Sequence, residues 1–345
     1  MLPLGSSLLS LVFAALVFDQ WRQTHRSFQL VWSIGLLWFG ISAGTEFAGS
    51  AFGWNEALYR AWYLFGACLV AAYLGMGTIY LLGRTSFGYF AAVTVVLGGV
   101  LSWVFSLLPD PKTGLLLYPG AVKVGAAAFV FATIGAIAIG LATALRREWA
   151  AHIALAVLVA GSLAAAYLVL TAPLPAPGFV LATDTRVPIG AAFPGYVRVL
   201  TGPFNIFGAL CLVFGAVFSA YVYMPKRKLL PAQAVSVPVL AQLWYFVAVV
   251  VNLVASLPGA ARGLFAGKLN SRVPATLLIA AGGLVPSVTS GLNRFGITWV
   301  FFLGEFVGVG LIFTGFLVSE DVFRNLRVIA AGTVWRRREK AEASG

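Results

Sequence analysis

Two cysteines, two histidines and three methionines are all that the 345 residues contain, and charged side chains make up only 10% of the chain. Each shortage removes a class of function. Cys68 and Cys211 sit far apart inside the apolar runs LFGACLVAA and GALCLVFGA, where they read as small buried hydrophobes rather than a disulfide. With no CxxC and no Cys/His cluster, a zinc or iron-sulfur centre has no ligand set. His25 in RQTHRS and His152 in EWAAHIAL fall near span ends, where snorkelling at the interface accounts for them better than axial haem ligation. P-loop, HExxH and GxSxG motifs are missing, and no span carries a mid-helix Lys for a retinal Schiff base. No enzymatic activity and no cofactor are therefore expected.

What is present is apolar. Hydrophobic residues make up 60% of the chain, and mean hydropathy is +0.93. A water-soluble enzyme is excluded, and no uninterrupted polar block is large enough for a separate catalytic domain. Runs bounded by charges and by Gly/Pro clusters predict helices at about 3–19, 28–47, 58–82, 87–108, 122–145, 150–171, 203–223, 237–257, 274–292 and 297–318. The fold class is an all-α polytopic bundle of nine or ten membrane segments. Three parts are expected: a seven-span module over 1–228, three further membrane segments over 229–320, and a basic tail over 321–345. The connection at 172–200 is Pro- and Gly-rich and long for a helix hairpin, which fits a lid, an ordered plug or a plain linker.

Charge sets the expected topology, because Lys and Arg in short loops favour the cytoplasmic side. The net charge is +12. With the N-terminus outside, Arg22, Arg26, Arg84, Arg146, Arg147, Lys226, Arg227 and Lys228 all lie inside, a coherent pattern through seven spans. The C-terminal part breaks it: if the last three segments all cross, Arg324, Arg327, Arg336, Arg337, Arg338 and Lys340 end outside. Two readings remain open. The segment VPATLLIAAGGLVPSVTSGL, interrupted by Pro274, Gly282, Gly283, Pro286 and Gly291, is re-entrant, or it crosses with a kink and the tail is external. In the tail, Val322, Phe323, Leu326, Ile329, Ala330 and Val334 recur at helical spacing before WRRREK, the pattern of an interfacial helix drawn to anionic lipid head groups. Nucleic acid is not an expected partner, since no recognition fold accompanies the basic run.

An ionisable side chain inside a span costs about 2.5–3.5 kcal/mol on insertion scales, so each needs a reason. Glu305 is the sharpest case, lying about 12 Å into its span at about 1.5 Å per residue. Gly304 and Gly308 flank it as a small-xxx-small face that admits a neighbouring helix, and no Lys or Arg shares its depth. It reads as a coupling carboxyl for a proton or cation, or as a neutral packing group. Asn252 and Asn205 are the other deep polar groups, fit for ligand contact or for interhelical hydrogen bonds. Pro286 with the nearby glycines, and Ser287 and Thr289 beside it, mark a helix break of the kind transporters use to contact substrate near the midplane. Glu46 and Arg60 fall near the outer ends of adjacent helices and read as a superficial ion pair, with Glu56 competing for the same arginine. The tetrad E-F-x-G occurs at Glu46 and again at Glu305.

The segments ALYRAWYLFGACLVAAYLGMGTIYLL (57–82) and FPGYVRVLTGPFNIFGALCLVFGAVFSAYVY (193–223) resemble stretches of uncharacterised polytopic proteins of the bacterial inner membrane. The resemblance implies that location and brings no activity with it. The leading functional expectation is a secondary transporter or ion-coupled carrier of a small solute. The alternatives are a non-enzymatic sensor or complex subunit that docks a protein partner, and a quinone- or lipid-handling subunit.

Overall fold

The computed structural model describes residues 2–82, 87–108, 121–145, 149–174, 178–181, 188, 192–232, 238–266, 268–270, 272–294 and 299–318. All of the regular structure in it is helical. The helices are α1 (Leu2–Thr24), α2 (Ser27–Phe52), α3 (Glu56–Trp62), a π-helical turn (Tyr63–Leu69) running straight into α4 (Val70–Leu82), α5 (Phe87–Leu107), α6 (Ala121–Ala144), α7 (Trp149–Thr171), α8 (Gly195–Tyr223), α9 (Pro238–Phe265), α10 (Arg272–Arg294) and α11 (Trp299–Val318). With α3 and α4 taken as one span, ten helices are long and apolar enough to cross a bilayer. The chain is an integral, multi-pass membrane protein.

Side-chain contacts fix the direction of each helix. The α1–α2 hairpin is antiparallel, the Ser7 hydroxyl donating to the Gly40 carbonyl at 2.8 Å. α2 and the α3–α4 span are antiparallel too, since Trp32 Nε1 donates to Leu74 O near one end and Trp62 meets Glu46 near the other. α8 runs parallel to α4: Asn205 reaches Ala67, while Gly215 lies against Thr78 and Leu82. α5 runs against α8, with Phe87 on Phe218 and Gly98 on Phe207. α6 in turn runs against α5, with Gly88 on Thr143 and Trp103 on Phe129. α7 joins the Tyr80 level at His152 to the Arg60 level at Val169 and Ala172. Seven crossings thus carry the chain from the face holding Leu2, the N-terminal face, to Tyr223 at the opposite face.

α9 does not make the eighth crossing. Its early residue Gln242 packs on Gly140, one turn before the end of α6, and Phe246 stacks on Phe90 near the start of α5 at 4.6 Å. Its middle is tied to the loop after α8, and Ala260 shares a buried cluster with Met224 and Val273 at that same face. These contacts all fall in the half of the bundle nearer that face, the first half of the helix deeper than the second, so α9 runs obliquely along the opposite face. α10 then begins there, Arg272 Nη1 donating to the Tyr223 hydroxyl at 2.8 Å, and crosses back. α11 returns antiparallel to it and parallel to α1, with Gly5 near Phe306 and Phe13 on Phe316. Among the described residues, nine spans run from one face of the bundle to the other and α9 lies along the opposite face.

This differs from both sequence readings of the C-terminal part. Of the two courses left open for VPATLLIAAGGLVPSVTSGL, the continuous one is found: α10 runs unbroken through Pro286 and packs along the length of α11. The segment expected to span at 237–257 is the one that stays on a single face. Length and hydropathy could not separate the two, because they measure what a helix tolerates and not where its ends are tethered. α10 packs on α8, and α11 on α1. The interfacial tail expected after Val318 lies outside the described residues.

Small residues set the helix spacing. In a bilayer, where lipid is as apolar as leucine, close backbone contact and dispersion hold helices together. A Cβ added at Gly282 would stand 2.6 Å from the Gly308 carbonyl oxygen, and one at Gly75 would meet the backbone of Gly208. Outer helices α6 and α7 present Phe131, Ile134, Ile137, Leu163 and Tyr167 outward, as lipid-facing helices must.

Candidate functional site

The polar groups inside the bundle divide by how well they are satisfied. Asn252, 3% exposed, accepts from the backbone N–H of Leu229 and Leu230 and donates to the Leu230 carbonyl, at 2.7–2.9 Å. Ser256 accepts from the Arg227 N–H and donates to the Asn252 carbonyl. Both residues fasten the loop after α8 onto α9, so the expected deep polar contact of Asn252 is replaced by a structural one near the opposite face. Asn205 donates to the Ala67 carbonyl inside the π-helical turn, at 2.7 Å. A π turn leaves carbonyls without their usual α-helical partner, and Asn205 takes one of them.

Ser287 and Thr289 return their hydroxyls to their own helix, on Gly283 O and on Val285 O. Thr289 and Pro286 also fill the notches at Gly304 and Gly308, so the small-xxx-small face expected around Glu305 is occupied by α10.

Arg60 does not pair with Glu46. Its guanidinium binds Glu56 one turn earlier, at 2.7 Å, and reaches the Val169 and Ala172 carbonyls at the end of α7. Next to it, Tyr59 stacks between Phe179 and Phe193, each at 5.1 Å, so the described part of the 172–194 connection is packed as a plug on the N-terminal face. The expectation of a Glu46–Arg60 surface pair fails for a geometric reason: the two side chains leave their helices on different faces, Arg60 towards α7 and Glu46 into the bundle.

There Glu46 is 0% exposed and accepts from Trp62 Nε1 at 2.6 Å. Its carboxyl lies within hydrogen-bonding reach of the carboxyl of Glu305, which α11 brings to the same level, about 9 Å from the N-terminal face at about 1.5 Å per residue. Oε2 of each acid is buried and receives no N–H or O–H from the described residues. Arg60 pairs with Glu56, and among the described residues no cationic side chain is seen against the two acids. Two facing carboxyls without a cation are costly as a pair of charges in a low-dielectric interior, and one proton shared between them satisfies both free oxygens.

The surroundings continue the pair inward as a column. On α1, Ser6 and Ser10 are 1% and 0% exposed with unpartnered hydroxyls, and Phe13 and Val17 follow on the same face. Contacts of Ser7 with Gly44 and of Gly5 with Phe306 put Ser6 at the level of the carboxyls. On α11, Glu305, Val309, Ile312 and Phe316 form the matching stripe. Below Ser10, Phe13, Val17, Trp32, Leu36, Leu74 and Phe316 enclose a small, wholly apolar cavity on the bundle axis.

Sequence reasoning found Glu305 from its depth but missed its partner. The one available signal was the repeated E-F-x-G tetrad, which occurs at the two positions that meet. Compared with family models, curated proteins and solved structures, the chain matches none.

Proposed function

We propose that this integral membrane protein is an ion-coupled carrier of a small solute, in which Glu46 and Glu305 form the coupling site and the coupling ion is a proton. The observation that carries the reading is the close approach of two buried carboxyls, with no cation seen against them among the described residues and each acid retaining one unpartnered oxygen. Unsatisfied buried acceptors cost about 1–3 kcal/mol each, a cost that a proton held on these two oxygens offsets. A site that must take up and release a charge needs them. The pair draws on α2 and α11, which belong to different hairpins, so a small displacement of one hairpin changes whether the acids share a proton.

Orientation follows from charge. Only Arg60, Lys112, Lys123, Arg186, Arg198 and Arg294 fall in helix ends or connections of the N-terminal face, against 17 of the 23 basic residues towards the opposite one, including the six beyond Val318. The opposite face is cytoplasmic by this count, the N-terminus is outside, and the membrane is the bacterial inner membrane. With nine crossings the tail needs no exception to the rule.

Purified protein in proteoliposomes tests the coupling. An imposed proton gradient, inside acidic or inside alkaline, is expected to relax faster than in empty vesicles, and Glu305→Gln is expected to remove that flux while the protein keeps its elution volume and helicity. Gradient relaxation equal in the wild type and Glu305→Gln removes the proposal. A C-terminal reporter fusion active only in the cytoplasm tests the orientation independently.

A further inference from the structure

α9 carries a feature that the coupling site does not explain. Its outward residues Leu240, Leu243, Val247, Val250, Val254 and Leu257 are all exposed and recur at intervals of three and four, an unbroken apolar stripe. The sides of the helix have separate tasks. One side, with Tyr245, Phe246, Val249 and Leu253, packs against the bundle ends of α5 and α8. A second side, with Trp244, Asn252 and Ser256, binds the loop after α8 through Pro231, Leu229, Leu230 and Arg227. The stripe is what remains.

The loop matters because it bears Lys226, Arg227 and Lys228, all exposed, held over the polar side of α9 by backbone hydrogen bonds that leave the three cationic heads free of the fastening. Lys226 lies over the Tyr221 ring at 5.5 Å, which aims the triplet at the rim of the bundle. Arg262 and Lys268, both exposed, extend the positive charge to the C-terminal end of the helix. An apolar stripe on one flank and fixed cations on another is the arrangement of a helix lying in a membrane interface. Depth agrees for the first half of the stripe: Phe246 meets Phe90 and Phe214, which lie about one and about two and a half turns inside crossing helices, at the level of acyl chains.

We propose that α9 and the 226–228 loop form a docking element for anionic phospholipid: the stripe lies among the acyl chains of the leaflet at the face opposite the N-terminus, and the basic triplet with Arg262 and Lys268 takes the phosphodiester head groups. The ligand class follows from the charges, since zwitterionic lipid offers the triplet no net negative partner. A second copy of this chain, whose own stripe would pair with this one, is the competing occupant that the test separates.

The full-length protein is placed in nanodiscs of phosphatidylcholine alone and of phosphatidylcholine mixed with phosphatidylglycerol. Anionic lipid is expected to raise the thermal unfolding midpoint. In K226A/R227A/K228A the phosphatidylglycerol retained on the purified protein, counted by native mass spectrometry, is expected to fall at least about tenfold, with the midpoint gain reduced. Equal retention in both proteins overturns the proposal. A nitroxide at Val250→Cys or Val254→Cys, outward positions whose change leaves folding intact, is expected to be reached by oxygen and shielded from a water-borne nickel reagent. The reverse accessibility overturns it, as does an efficient disulfide between two copies through Val254→Cys.

Discussion

Asn252 and the Glu46–Glu305 pair are both polar and both buried, and Asn252 and Glu305 both read from sequence as groups deep in an apolar span. Their surroundings separate them. Every donor and acceptor set around Asn252 closes locally, between a helix and the loop it holds, within 30 residues of chain. The two acids are brought together from opposite ends of the chain, with one tryptophan N–H between them as a donor and two oxygens left open. Satisfaction, more than burial or residue type, distinguishes a polar group that builds the fold from one that waits for a ligand.

That contrast breaks if removing the acids damages the fold more than it damages transport. Glu46→Gln and Glu305→Gln, singly or together, are expected to lower proton-coupled flux by at least about a hundredfold, the loss of an ionising group at the reacting site, with thermal stability unchanged or raised. Flux in proteoliposomes and unfolding of the same preparation read the two quantities side by side. Next in size is Gly282→Leu, whose side chain would press on the Gly308 carbonyl and on Ile312. It is expected to cost about 3 kcal/mol or more and to part α10 from α11, so loss of folded yield accompanies loss of coupling.

Asn252→Ala inverts the acid result: about 2–3 kcal/mol of stability is lost as two backbone N–H groups and one carbonyl lose their partner, while flux per folded molecule stays the same. Chemical denaturation checks the first half and reconstituted flux the second. Ser6→Ala gives the smallest effect and the finest discrimination. Removing a buried hydroxyl that has no partner is expected to change stability by less than about 1 kcal/mol, yet to shift the pH at which flux is half-maximal if the hydroxyl serves the carboxyl pair. An unchanged pH profile confines the site to the two acids.

Most of the fold was legible because bilayer thickness turns hydropathy into helix count, and because Gly304, Gly308 and Gly282 announce where backbones come close. Glu305 was legible for the same reason, its depth. Glu46 was misread because nearness to a helix end and to Arg60 in sequence suggested a surface pair, whereas the direction of the side chain around α2 decides its partner. α9 was read as a plain span because apolarity does not record tethering: Asn252, taken as a deep group, joins Ser256 in fastening the loop after α8 along it. The meeting of α2 with α11 spans nearly the whole chain, and no local pattern encodes a contact at that separation.

The lateral course of α9 also bears on how the chain is made. After the seventh crossing, everything from Met224 to the start of α10 can stay on the side of synthesis, so the machinery has no polypeptide to export over that stretch. Only the short link between Arg294 and Trp299 must then pass through, and α10 and α11 can enter the bilayer as one closed hairpin. Glu305 would make that passage already packed near Thr289 and Pro286, and would meet Glu46 only when the hairpin docks beside α1. On the proposed orientation, the two acids come together only when this hairpin docks beside α1, so their meeting depends on a contact between the two ends of the chain.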